Sequence, residues 1–441
     1  MTFNWRFAAL AGVAAVWASA AGPVSAKDVV IHAGKLIDGV GKTPRVQVSI
    51  LIHDDRIAAV EAGYATPAGA EVVDLSDYTV LPGLIDAHVH ITQGFHPGDP
   101  IHTRLTRTGY DDAIQSTVYA RDTLMAGFTS ARDVGAETSV IVALKRAINA
   151  GVVPGPRLWV AGSPIGPTGG HSDEANGLDP ELEHPGWNTT LVDSPEAARR
   201  TVRLLRRQGV DLIKIMPSGG VMSIGDDPKL QLMADDEIKA VVDTAHALGM
   251  KVAAHAHGKA AIDHAITLGV DSIEHGSFAD AESYKLFKAH GTYLVPTMLV
   301  GFRVYVHAQT HPEDLNPSTV EKALSVVPVM QKNLHDAYAA GVKIAFGTDT
   351  FGMSNHGENA QEFALMVKSG MSPMDAILAA TAGGSDLIGD AQDIGSVQPG
   401  RYADIIAIKG DPLEDVTRLE HVAFVMKGGV VYKADGKPVV R

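Results

Sequence analysis

The sequence predicts an α/β protein: a (β/α)8 TIM barrel carrying a small accessory β-sandwich built from both chain ends. Three observations carry this expectation. Apolar runs of strand length recur near 84–91, 128–133, 157–165, 211–217, 251–256, 271–277, 292–299 and 343–348, with helical patterns between most of them. Both ends of the chain read instead as short strands separated by turn residues. Several central runs end in histidine, lysine or aspartate, and barrel chemistry sits at the C-terminal ends of strands.

Taken in order, residues 1–26 read as a signal peptide. Arg6 is the one charge, the stretch from Phe7 to Gly22 is apolar and small, and Val24-Ser25-Ala26 resembles a small-x-small cleavage site. The alternative, an uncleaved anchor, is weakened because the apolar stretch is short for a membrane span. An exported protein, periplasmic or secreted, follows. Such a chain could carry disulfides, but none of the 441 residues is cysteine, so stability rests on burial and any metal site must use nitrogen and oxygen ligands.

Residues 27–81 plus 396–441 are expected to form the accessory domain. Val46-Gln47-Val48-Ser49-Ile50 alternates apolar and polar side chains, and Asp54-Asp55-Arg56 turns the chain. Ile405–Ile408, Val422–Met426 and Val430–Tyr432 repeat the pattern at the other end. Residues 82–395 are expected to be the barrel. Its clearest helix spans 235–248: Asp235, Asp236 and Glu237 suit the positive end of the helix dipole. Ile238, Val241, Val242, Ala245 and Leu248 recur at helical spacing, and Gly249 ends it. A doubly wound open sheet is the competitor, but no Gly-x-Gly-x-x-Gly follows the first strand and no phosphate-loop motif occurs. The segment 300–320 is long for a barrel loop and suggests a lid.

Charge narrows the partners. The formal net charge is -14 and no basic run is present, which disfavours nucleic acid and anionic membrane surfaces. No segment after the leader is long and apolar enough to span a membrane, so no membrane partner is expected once the leader is removed.

The chemistry-bearing residues fall at five strand ends. His88 and His90 are two apart in a strand, so their imidazoles project side by side and can grip one metal ion. Lys214 interrupts an apolar run; a buried ammonium is costly and would be driven toward its neutral, nucleophilic form, unless the side chain snorkels out at the strand end. His255 and His257 share a face, so spacing alone does not choose between them. His275 and Asp349 end two later strands. One such histidine is more often structural than a ligand; the set on one barrel is harder to explain by chance. Beyond it, His171 follows a glycine pair and could contact a substrate carbonyl or carboxylate. Arg303 could pair with a substrate carboxylate, and His356 could line the pocket; a solvated turn or loop explains either histidine equally well. Arg132-Asp133 reads as a structural ion pair beneath the site.

Pro82-Gly83-Leu84-Ile85-Asp86-Ala87-His88-Val89-His90, Gly347-Thr348-Asp349 and Gly400-Arg401-Tyr402-Ala403-Asp404-Ile405 resemble motifs of the amidohydrolase superfamily. Thr168-Gly169-Gly170-His171, the stretch Ile213–Gly220 and Ala254-His255-Ala256-His257-Gly258 are similar to its imidazolonepropionase-like group, which includes prolidases, carboxypeptidase-like enzymes and ochratoxin-hydrolysing amidases. The resemblance implies two divalent metal ions, usually zinc. His88, His90 and Asp349 would hold one and His255 and His275 the other, bridged by Lys214 carboxylated by carbon dioxide, with His257 behind them. A carbamate anion beside two dications is electrostatically favoured. The implied reaction is hydrolysis of an amide, in a dipeptide or N-acyl amino acid or an ochratoxin-like compound. A metal-bridging hydroxide attacks, and Asp349 is the catalytic proton carrier. Two other classes stay open: a mononuclear deaminase or cyclic-amide hydrolase, whose members lack the lysine, and a non-catalytic binding scaffold. Relatives often form symmetric assemblies, some octameric, so a homo-oligomer is expected.

Overall fold

The computed structural model describes residues 28–94, 105–179, 181–182, 186, 189–351, 353 and 355–439; the leader expected at 1–26 lies outside them. Four strands open the chain: β1 (Asp28–Leu36), β2 (Arg45–His53), β3 (Arg56–Ala62) and β4 (Glu71–Pro82). Seven follow in the centre: β5 (Leu84–Val89), β6 (Phe128–Asp133), β7 (Arg157–Val160), β8 (Leu212–Ile215), β9 (Lys251–Ala256), β10 (Ser272–His275) and β11 (Tyr293–Val295). Four close it: β12 (Ile405–Lys409), β13 (Val422–Lys427), β14 (Val430–Ala434) and β15 (Lys437–Pro438).

The two chain ends make one mixed sheet in the order β15-β14-β13-β12-β4-β1-β2-β3. They meet at the antiparallel β4–β12 pair, where Leu81 faces Ile406 and Val80 faces Ala407. Side-chain alternation gives this sheet two apolar faces. Ile405, Ala407, Phe424 and Met426 share a cluster with Val29, Ile31, Ile50 and Ile52 from the other end, so one face of this mixed sheet carries a single apolar core built from both chain ends. Ile406, Ile408, Val422 and Val425 point the other way and join the barrel core.

The central strands pair in parallel as β5-β6-β7 and β8-β9-β10-β11. The halves are joined by a bridge between Ile165 and Ile215 and by the Asp211 N–H donating to the Val160 carbonyl at 2.8 Å. The eighth staves-position run, 343–348, is not a continuous ladder strand. It touches its neighbours through single bridges, Leu294 to Ile344 and Val89 to Thr350. The reason is local. The Thr348 N–H and hydroxyl donate to the Asp86 carboxylate at 3.1 and 2.7 Å, so a side chain replaces the ladder partner. Gly347 lies flat against β5, and a Cβ there would stand 2.4 Å from Val295 Cγ1 and 2.9 Å from His88 Cβ. Gly347→Ala is therefore expected to destabilise the fold by about 1–3 kcal/mol through overpacking, read as a lower denaturant midpoint. It should also displace His88.

The helix expected at 235–248 is Asp235–Ala247; the Glu237 carboxylate accepts the Ala234 N–H at 2.9 Å and caps its start. Leu248 is 41 % exposed rather than part of the apolar face, because the chain already leaves the helix toward Gly249, at φ +72°. The segment expected as a lid loop is helical instead. Met298–Thr310 and Pro317–Ala339 form two helices joined by a short turn. Val300, Val304 and Ala308, four apart, bury one stripe against Ala323, which accounts for the helical state. No helix among the described residues is long and apolar enough to cross a membrane.

Candidate metal centre

Two groups of potential ligand atoms lie at the strand ends: His88, His90 and Asp349, and His255, His257 and His275, the atoms of each group within 4.8 Å of one another. The groups adjoin, with the His88 and His275 rings 5.3 Å apart. His257 thus joins the second group directly, where spacing could not rank it against His255 and the resemblance placed it behind.

Each imidazole is held by its outward nitrogen, which leaves the other bare. His90 Nδ1 faces the Gly135 carbonyl at 2.7 Å, and a carbonyl only accepts, so Nδ1 carries the proton. His275 Nδ1 donates to Thr297 Oγ1 at 2.7 Å, whose own hydrogen goes to the Pro296 carbonyl. His255 reverses the arrangement: its Nε2 faces the Gly219 carbonyl at 3.1 Å, leaving Nδ1. His257 Nδ1 is paired with Ser277 Oγ at 2.7 Å. Such outer partners fix ring plane and tautomer in metal sites.

His88 is held by Glu274, a residue not singled out in the sequence. Its Nδ1 lies 2.7 Å from Glu274 Oε2, and Arg132 donates to Glu274 Oε1 at 2.8 Å and to Ser272 Oγ at 3.1 Å. Burial pushes the Glu274 carboxyl up, but Arg132, His88 and Lys214 outweigh it and hold it far below the ordinary range. Arg132 thus belongs to a buried ion pair beneath the site, as expected, with Glu274 rather than Asp133 as partner. Asp133 instead accepts the Ile91 and Gly135 N–H groups.

Asp349 tests whether these residues fit a metal. Its Oδ1 lies 3.0 Å from His90 Nε2 and 3.4 Å from His88 Nε2, yet it is buried with no well-formed hydrogen bond. With both Nδ1 protons committed outward, neutral rings turn lone pairs toward a carboxylate oxygen. A cation among the three converts that repulsion into coordination, so the donor set fits one. The backbone agrees: His275 at φ +68°, Thr297 at +50° and Asp349 at +54° occupy the left-handed region, a strain that clusters at functional sites.

Lys214 is 1 % exposed. Burial pulls its ammonium down to about 8, against the pull of Glu274 and Asp349, and its charge acts in turn on His255 and His275. It therefore stands in electrostatic reach of both groups and has not snorkelled out.

The remaining expected contacts separate. His171 stacks on His255 with ring centroids 4.3 Å apart, so it borders the second group. Arg303 binds Glu358 Oε2 and Gln361 Oε1 at 3.0 and 2.8 Å, within its own helical layer. His356 donates from Nε2 to the Gln93 carbonyl at 2.7 Å and packs on Tyr119, and burial lowers its pKa to about 4. It braces the chain just after His90.

Comparison with known proteins agrees with this geometry. The Amidohydrolase family matches residues 79–433. The chain is 33% identical to ochratoxinase of Aspergillus niger over 93% of its own length and 88% of the relative's. It superposes on a Xaa-Pro dipeptidase with bound methionine in the active site (TM-score 0.89, 38% identity, 92% of this chain and 100% of that one). It also superposes on a prolidase complexed with N-methylphosphonate-L-proline (TM-score 0.85, 31% identity, 92% and 100%). Two histidine-rich groups on a parallel barrel, joined to a match of this extent, make the chain a member of the amidohydrolase family, a hydrolase acting on carbon–nitrogen bonds.

Proposed function

We propose that the protein is a binuclear amidase or peptidase. It cleaves an unstrained amide in a dipeptide, an N-acyl amino acid or an ochratoxin-like compound. The observation that carries this is the adjacency of the two ligand groups with buried Lys214 in reach of both. His88, His90 and Asp349 would hold one ion and His255, His275 and His257 the other, with Lys214, carboxylated by carbon dioxide, shared between them. When bound, two such ions, zinc by the family resemblance, acidify water and polarise an amide carbonyl.

The chain's own residues supply the rest. Asp349 Oδ1 is positioned to take the proton of the attacking water and deliver it to the leaving nitrogen as the C–N bond breaks. His88 and His90, clamped by Glu274 and Gly135, keep that oxygen in place. An apolar wall stands beside them. Phe351 meets the His90 ring edge-on at 5.8 Å and packs with Val221, Met222 and Met353 on the helical pair. Such a wall favours substrates bearing apolar or aromatic groups next to the scissile bond. The relatives' ligands, methionine and a proline phosphonate, support an amino-acid product.

The test is a screen of zinc-loaded protein against N-acyl amino acids, dipeptides and ochratoxin A. Turnover of apolar acyl amides is expected, abolished by a chelator and restored by divalent ions. Two ions per chain with no turnover of any amide would favour a binding scaffold. One ion per chain with turnover of cyclic amides alone would favour the mononuclear class.

A further inference from the structure

We infer that Lys322 is a positioning residue that fixes His171 against the candidate metal centre through Asp226 and Ser223. Lys322 lies on the helix Pro317–Ala339, outside the strand ends that carry the site, and its side chain is only 12 % exposed. Its three ammonium hydrogens have three acceptors: Asp226 Oδ1 at 2.7 Å, the Gly220 carbonyl at 3.0 Å and the Ser223 carbonyl at 2.8 Å. Nothing in this set is left over for solvent or substrate.

Asp226 is fully buried at its carboxylate and also accepts the Gly220 N–H at 3.1 Å. The Ser223 hydroxyl has one hydrogen, and Asp226 stands 2.7 Å from it with either oxygen. That hydrogen goes to the carboxylate, because an ionised carboxylate beside Lys322 only accepts. Ser223 Oγ is then an acceptor toward His171 Nδ1 at 2.7 Å. The proton of a neutral His171 is thereby placed on Nδ1, and Nε2 is left as the free nitrogen. The ring plane is fixed from two further sides. One face stacks on His255, and a Cβ on Gly220 would stand 2.1 Å from the ring, so only glycine leaves room for it.

The consequence joins two parts of the chain. The helix that supplies Lys322 also supplies Ala323 to the apolar wall, so a substrate pressing on that wall acts on the segment that orients His171. The inference rests on the amidase reading for its kinetic consequence, but not for its geometry.

A double-mutant cycle tests it. Lys322→Met is expected to raise KM for the best amide about tenfold with a smaller change in kcat, and Lys322→Arg to restore most of the loss. In a His171→Ala background, Lys322→Met should add less than twofold, because residues acting as one unit are not additive. Should Lys322→Met fold poorly, Ser223→Ala removes only the hydroxyl link and should reproduce the KM effect. Crystals of either variant should show the His171 ring turned away from His255. Full additivity with His171→Ala, or an unmoved ring, would overturn the inference. A failure of the amidase reading shows separately, as absent turnover in the wild-type chain, and the ring position then still decides.

Discussion

Replacing Lys214 by methionine is expected to lower kcat roughly a thousandfold, about 4 kcal/mol of transition-state stabilisation, and to drop bound metal from two ions per chain to about one. Methionine fills similar volume without an ammionium charge, so the variant separates catalysis from folding. In the metal-free protein the wild-type lysine is a liability, since burial disfavours its charged form. The thermal midpoint of metal-free Lys214→Met should therefore equal or exceed that of wild type at neutral pH. The sign with pH follows. The folded-state pKa, about 8, lies below the ordinary 10.5, so the unfolded chain binds more protons between those values. Metal-free wild type should gain stability relative to the variant as pH rises from about 8 toward 10.5. A Lys214→Met protein that keeps both ions and wild-type kcat would remove the lysine from the centre, whereas about one ion per active chain in wild type and variant alike would return the mononuclear class.

Much of this centre is legible in the sequence because regular strands obey simple spacing. His88 and His90 are two apart, so period-two alternation alone puts them on one face. The same rule places His255 and His257 together and stops there. It could not show that His257 stands with His275, because that depends on how β9 and β10 pair. Glu274 is the instructive omission. Alternation sends neighbours Glu274 and His275 to opposite faces, yet both serve the site. His275 escapes the rule because its backbone turns to φ +68°, and no local pattern announces a non-glycine residue there. Asp349 escapes it in the same way. The sequence trace of Glu274 is a carboxylate next to His275 in the short strand Ser272–His275, which names no partner. Its partner, Arg132, is 142 residues away. The helical pair at 298–339 is hard to read from sequence for a different reason: its stripe of Val300, Val304 and Ala308 is short, and a long segment between barrel strands reads first as a loop.

Arg132→Met should be the most destabilising single change at this end of the barrel. Arg132 is 2 % exposed, and Glu274 is fully buried. Removing the guanidinium leaves a buried carboxylate with His88 and Ser272 as its hydrogen-bond partners and only the more distant charge of Lys214 beside them. Breaking a buried ion pair from one side costs about 3–5 kcal/mol, mostly as the penalty of the charge left behind. The Arg132 Nε contact to the Ala87 carbonyl at 2.5 Å is lost as well, and with it a tie to the strand that carries His88. Equilibrium denaturation should show the full loss at neutral pH. The pH dependence should change sign: in wild type Glu274 is held low, so its contribution is present above the ordinary carboxyl range and fades only in strong acid. Without Arg132, burial dominates and the folded-state pKa rises, so the variant should recover part of its stability as pH falls toward 5. Pairing Arg132→Met with Glu274→Gln should recover stability at pH 7 without restoring turnover, because glutamine removes the stranded charge but no longer accepts from His88 as a carboxylate does. A double variant no more stable than Arg132→Met alone would show that the loss comes from packing around the guanidinium and not from the ion pair.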